Sequence, residues 1–106
     1  MAFIEFEEPA ILELRRITRQ GAYLFGPKTA NRLIDDVGKL GKRLEKYPKS
    51  GFPETLLEGK EHKYRSCTIR KRFKMVYFYD ESADIVHVMD FWDMRMSPAR
   101  LINRMK

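Results

Sequence analysis

The sequence predicts one α+β domain in the order β-α-α-β-β-β: a helix hairpin packed on a small, mostly antiparallel sheet. Three observations predict it. Two successive segments carry one-sided apolar stripes at helical spacing. A Gly26-Pro27 break between them leaves room only for a tight turn. Three strand-like stretches follow, joined by links too short for parallel crossovers.

Each element has its own signal. Ala2–Phe6 alternates apolar and polar residues, as a short strand does. Glu7-Glu8-Pro9 opens a helix, with acids near its positive end and proline at about the first helical position. Ile11, Leu14, Ile17, Gly21 and Leu24 recur along it at helical spacing. A second helix is expected from about Lys28 to Lys46, striped by Ala30, Leu33, Ile34, Val37, Leu40 and Leu44. Pro48 to Gly59 has two prolines and two glycines and reads as a loop. His62–Arg70, Phe73–Tyr79 and Ile85–Phe91 are the remaining strands, and Pro98 favours a brief C-terminal helix from Ser97. One sheet face is expected under the helices and the other open. No repeat or linker divides residues 1–106, so a single domain is expected.

Composition narrows the class. A content of 43% hydrophobic and 34% charged residues is that of a globular chain, not a disordered one. No apolar run approaches a membrane span, so no membrane partner is expected. The start, MAFIEFEEP, lacks the basic-then-apolar pattern of a signal peptide. The single cysteine, Cys67, cannot form an internal disulfide, and a reducing cytoplasm is the expected location. The net charge is +6, and residues 60–74 hold seven basic side chains against one acid. Lys60, Lys63, Arg65, Arg70, Lys71, Arg72 and Lys74 form that segment, and so concentrated a positive charge favours nucleic acid.

The candidate residues each have a bland alternative. Strict alternation puts Arg65 in line with Cys67 and Ile69, either as a rim arginine paired with an acid or as a phosphate-binding group. On the last strand it puts Ile85, His87, Met89 and Phe91 on one face and Val86, Val88, Asp90 and Trp92 on the other. A lone histidine among apolar neighbours is more often structural than catalytic. Asp93 and Arg95 suit a local ion pair at the strand end, and Trp92 suits the core. Two histidines 25 residues apart give no zinc-ligand spacing, and no phosphate-binding glycine loop is present, so neither metal nor cofactor is expected. Cys67 is expected to be a small buried hydrophobe rather than a nucleophile.

The chain resembles the RelE/ParE superfamily of bacterial toxins from type II toxin–antitoxin modules. The likeness rests on the element order, on "YP" at 47–48 with "GFPETL" at 51–56, on "YRSCTIRKRFKMVYFY" at 64–79, and on "VHVMDFWDMRMSPARL" at 86–101. It covers nearly the whole chain. It implies a cognate antitoxin and one of two activities. The first is a ribosome-dependent mRNA endonuclease that arrests translation. The alternative is a non-catalytic inhibitor of DNA gyrase. For the nuclease, the resemblance implies Arg65 at the scissile phosphate, Glu54 as general base, and Arg95 as a further charged group beyond the last strand. Lys60 and Lys63, with Arg70, Lys71, Arg72 and Lys74 of the basic segment, become candidates for holding the RNA. Several nuclease members place a histidine or tyrosine near the C-terminus as general acid. Here none follows Trp92: His87, a catalytic candidate, lies earlier in the strand, and the tail MSPARLINRMK offers only arginines and a lysine for that step, a gap that favours the gyrase-inhibitor alternative.

Overall fold

The structure, a computed structural model, describes residues 1–105. Its elements are β1 (Phe3–Phe6), α1 (Glu8–Phe25), α2 (Pro27–Lys46), β2 (Phe52–Pro53), a 3₁₀ turn (Thr55–Leu57), β3 (Arg65–Ile69), β4 (Phe73–Asp80), β5 (Ile85–Asp93) and α3 (Pro98–Arg104). They form an α+β domain on a five-stranded sheet of order β1-β5-β4-β3-β2. Among the described residues, only the β1–β5 pair is parallel.

The helix hairpin forms where the apolar stripes placed it, but Ile11, Leu24 and Ile34 of those stripes face outward and are exposed. Proline stands in the first turn of both α1 and α2, where its missing N–H costs no hydrogen bond. Gly26 joins the helices at φ 91°, a left-handed conformation that a side chain resists. The buried sides of α1 and α2 bring Ala10, Ile17, Leu33, Val37 and Leu44 onto one sheet face. Cys67, Ile69, Met75, Tyr77, Val86, Val88 and Phe91 meet them from the strands.

Three expectations are corrected here. The second sheet face is not open. The 3₁₀ turn and α3 lie over it, and Leu57, Leu101 and Met105 bury Tyr64, Val76 and Trp92. The segment 48–59 is not all loop, since it contributes β2 and the 3₁₀ turn. The alternation along β5 is also broken. Val76 pairs with Asp90, but the next residue, Tyr77, pairs with Val88. Met89 is therefore an extra residue, a bulge that reverses the pleat beyond it. Val86, Val88 and Phe91 consequently share the helix-side core, while Met89 and Trp92 pack on the other face.

The β3–β4 hairpin closes through Arg70 and Lys71, both at positive φ (51° and 56°), with Arg72 N–H donating to Ile69 O at 3.1 Å. Two left-handed residues in succession make a type I′ turn, which matches the twist of the strands but suits Asn-Gly better than Arg-Lys.

Candidate functional site

Residues of β2, the 3₁₀ turn, the loop after it and the start of β3 frame a depression of about 430 Å³. Glu54, Lys60, His62, Lys63, Tyr64 and Arg65 line it. Four of the candidates from the sequence are thus brought together: Arg65, Glu54, Lys60 and Lys63. Lys60 is half-buried and Lys63 is exposed.

Glu54 is 5% exposed. Its carboxylate accepts from Lys74 Nζ at 2.6 Å, Ser66 Oγ at 3.2 Å and the Leu56 N–H at 3.3 Å. The last of these caps the 3₁₀ turn. The buried ion pair with Lys74 supplies the opposite charge that a buried carboxylate needs. Lys74 Nζ also sits 5.5 Å from the centre of the Trp92 ring. Lys74 is therefore committed inside the domain.

Arg65 folds back along the sheet rim. Its Nη1 donates to Gly51 O at 2.8 Å and Lys49 O at 3.1 Å. The same loop is held by Tyr77, whose hydroxyl donates to Pro48 O and accepts from the Gly51 N–H, both at 2.9 Å. Burial pushes the Tyr77 hydroxyl above its ordinary pKa, so it stays protonated and can donate.

His62 was not singled out from the sequence. Its ring lies flat on Phe78, with centroids 3.7 Å apart, and meets Tyr64 edge-on. Its place between Lys60 and Lys63 was the only available signal, because the stacking partner is distant in sequence. Phe78 also stacks on His87 at 4.7 Å. The phenyl ring therefore separates His87 from the depression. His87 does not face the helix-side core. It lies half-buried on the other face, with Nδ1 2.8 Å from Glu7 Oε1.

The remaining candidates point elsewhere. Arg95 is turned onto Asp93, with Nη2 2.8 Å from Oδ2 and a further donation from Nε. That contact holds the Asp93 carboxyl below its ordinary range. Arg70 is paired with Asp36 of α2. Lys71 is exposed at the hairpin tip. Arg72 lies over the Phe73 ring at 5.2 Å, and its buried Nε has no hydrogen-bond partner among the described residues. The seven basic residues of 60–74 thus spread over three places rather than one face. Burial pushes the Cys67 thiol up, which keeps it from acting as a thiolate. No described helix is long and apolar enough to cross a membrane.

By sequence, no family model and no curated protein matches the chain. By structure, it is similar to a chain of the chromosomal ParDE TA system from P. aeruginosa, with a TM-score of 0.69 at 18% identity, covering 88% of this chain and 96% of that one. A metal-bound toxin from Helicobacter pylori aligns with a TM-score of 0.59 at 19% identity, over 90% and 97% of the two chains. The isolated E. coli RelE toxin aligns over 98% of both chains, with a TM-score of 0.55 at 16% identity. At such identities the likeness is one of backbone architecture. The nearly complete coverage of both chains, at TM-scores of 0.55 to 0.69, carries the conclusion: this chain has the RelE/ParE toxin fold.

Proposed function

We propose that this chain is the toxin of a type II toxin–antitoxin pair, acting as a ribosome-dependent mRNA endonuclease. The observation that carries the reading is the depression in which Arg65, Lys60, Lys63 and His62 meet. Cleavage needs the ribose 2′-oxygen to bond to the adjacent phosphorus while the bond to the 5′-oxygen breaks. Charge accumulates on the phosphate as this happens. Arg65, released from the loop carbonyls, offers a planar fork of donors to that charge. Lys60 and Lys63 hold the flanking backbone. His62 takes the proton from the attacking 2′-hydroxyl, and water protonates the departing 5′-oxygen on the opposite side of the phosphorus. Glu54 positions Lys74 and the 3₁₀ turn beneath them. A cognate antitoxin is the expected partner. The exposed apolar residues Leu12, Tyr23, Leu24 and Phe25 along α1 give it a surface to cover.

A second reading, a gyrase inhibitor that cuts nothing, is favoured by one observation. Both carboxylate oxygens of Glu54 and the Nη1 of Arg65 are engaged internally.

Primer extension on a defined mRNA in a reconstituted translation system, with and without ribosomes, separates the two. Ribosome-dependent cuts that disappear in Arg65→Ala and fall at least tenfold in His62→Ala support the nuclease. Intact mRNA from a preparation that still arrests growth rejects it, and inhibition of supercoiling by the same preparation establishes the second reading.

A further inference from the structure

A second cluster lies at the opposite edge of the sheet. Glu5 on β1 is the parallel-register partner of His87 on β5, and Glu7 follows the end of β1. His87 Nδ1 is 2.8 Å from Glu7 Oε1 and 3.9 Å from Glu5 Oε2. One donor atom from each of the three residues lies within 4.8 Å of the other two.

A histidine–glutamate hydrogen bond accounts for Glu7 alone. It leaves Glu5 beside Glu7 with no cation between them. Among the described residues, neither carboxylate has a lysine or arginine within ion-pair distance, although the chain carries a net charge of +6. Two adjacent carboxylates turned toward one imidazole nitrogen make a small negative recess that a cation would neutralise. The His87 ring is held by its stack on Phe78, which fixes the direction of Nδ1. The side chains of His87, Glu7 and Glu5 are 19%, 32% and 56% exposed, so the recess opens to water on one side.

We infer that Glu5, Glu7 and His87 form a binding site for one divalent transition-metal ion of the zinc class. One imidazole nitrogen with two carboxylate oxygens suits zinc, cobalt or nickel better than calcium, which prefers oxygen alone. Ligand bonds of roughly 2.0–2.2 Å place donor atoms about 3 Å apart. A rotation of the exposed Glu5 side chain closes the longer gap. Water fills the remaining coordination. The ion ties edge strand β1, whose sheet pairing is to β5 alone, to the rest of the domain.

The test is calorimetric titration of zinc chloride into the tag-free, chelator-treated chain at pH 7.5. One ion per chain is expected, with at least tenfold weaker binding in Glu5→Gln/Glu7→Gln. That variant keeps His87 on Phe78 and should retain the wild-type circular dichroism. Zinc should raise the Tm of the wild type and not of the variant. It should also shift the His87 imidazole ¹⁵N resonances. Cys67→Ser and His62→Ala, which remove the other soft ligands, should bind zinc as the wild type does. Absence of binding overturns the site. So does equal affinity in the double variant, or a loss of binding in Cys67→Ser or His62→Ala.

Discussion

At the scale of single residues, two buried positions decide local behaviour. A Cβ added at Gly51 would lie 2.6 Å from the Tyr77 hydroxyl oxygen and 3.0 Å from Ser66 O. Neither can give way easily, because Tyr77 is fully buried and bonded to both sides of the loop. Gly51→Ala should therefore cost about 2 kcal/mol in urea denaturation and release the carbonyls that hold Arg65. Asp90 is the second position. Burial raises its carboxyl to about 6, against the opposing pull of Arg104, whose Nε lies 3.1 Å from Oδ2. A folded pKa above the unfolded one means that the native state holds the proton to higher pH. Stability from this group is therefore greatest near pH 4, falls as the pH rises to 6, and is level above that. The span is about 3 kcal/mol. Asp90→Asn should flatten that slope when denaturation midpoints are compared at pH 4, 5, 6 and 7. An unchanged slope would show that Asp90 is ionised in the fold throughout.

At the scale of elements, the β3–β4 hairpin and α3 carry opposite lessons. The hairpin tip holds arginine and lysine in left-handed conformations that glycine adopts freely. Lys71→Gly should raise stability by about 1 kcal/mol, seen as a higher Tm, because Lys71 has no structural ion pair to lose while Arg70 keeps Asp36. In α3, Leu101 is fully buried although the helix is only seven residues long. So short a helix is not stable alone and depends on that contact. Leu101→Ala should cost about 3 kcal/mol and increase the fluorescence change of Trp92 on mild heating, as the cover over the second sheet face loosens.

At the scale of the whole molecule, position outweighs charge count. Lys60 and Lys63 line the depression, whereas Lys39 and Lys42 are exposed on α2. Changing either pair to glutamate lowers the net charge by four, from +6 to +2. If the depression holds RNA, the first pair should weaken binding at least tenfold more than the second in filter binding at matched salt, with a shallower salt dependence. Equal losses would mean that only the general field of the protein acts. The fold was legible because helical and strand periodicities are local; Ile17, Leu33, Val37 and Leu44 follow the helical stripes into the core, while Ile11, Leu24 and Ile34 of the same stripes stay exposed. Lys60 and Lys63 were named from the density of basic residues, and Arg65 and Glu54 from a family pattern; that the four line one depression came only from the structure. His62 and the Glu5–Glu7–His87 recess were not, since each depends on a partner on another strand.

The sequence by itself determined the helix hairpin, the run of antiparallel strands and the concentration of basic residues, for these depend on spacing along one chain segment. Only the tertiary structure decided which faces those residues take. The extra residue Met89 reverses the pleat of β5, so Phe91 joins Val86 and Val88 in the helix-side core, whereas alternation put it on the face opposite to theirs. Side-chain pairing then committed Lys74 to Glu54, Arg95 to Asp93 and His87 to Glu7. Charge is additive and can be counted from composition. Whether a charged group is free to meet a partner depends on which opposite charge the fold brings within 3 Å, and no spacing rule along the chain contains that distance.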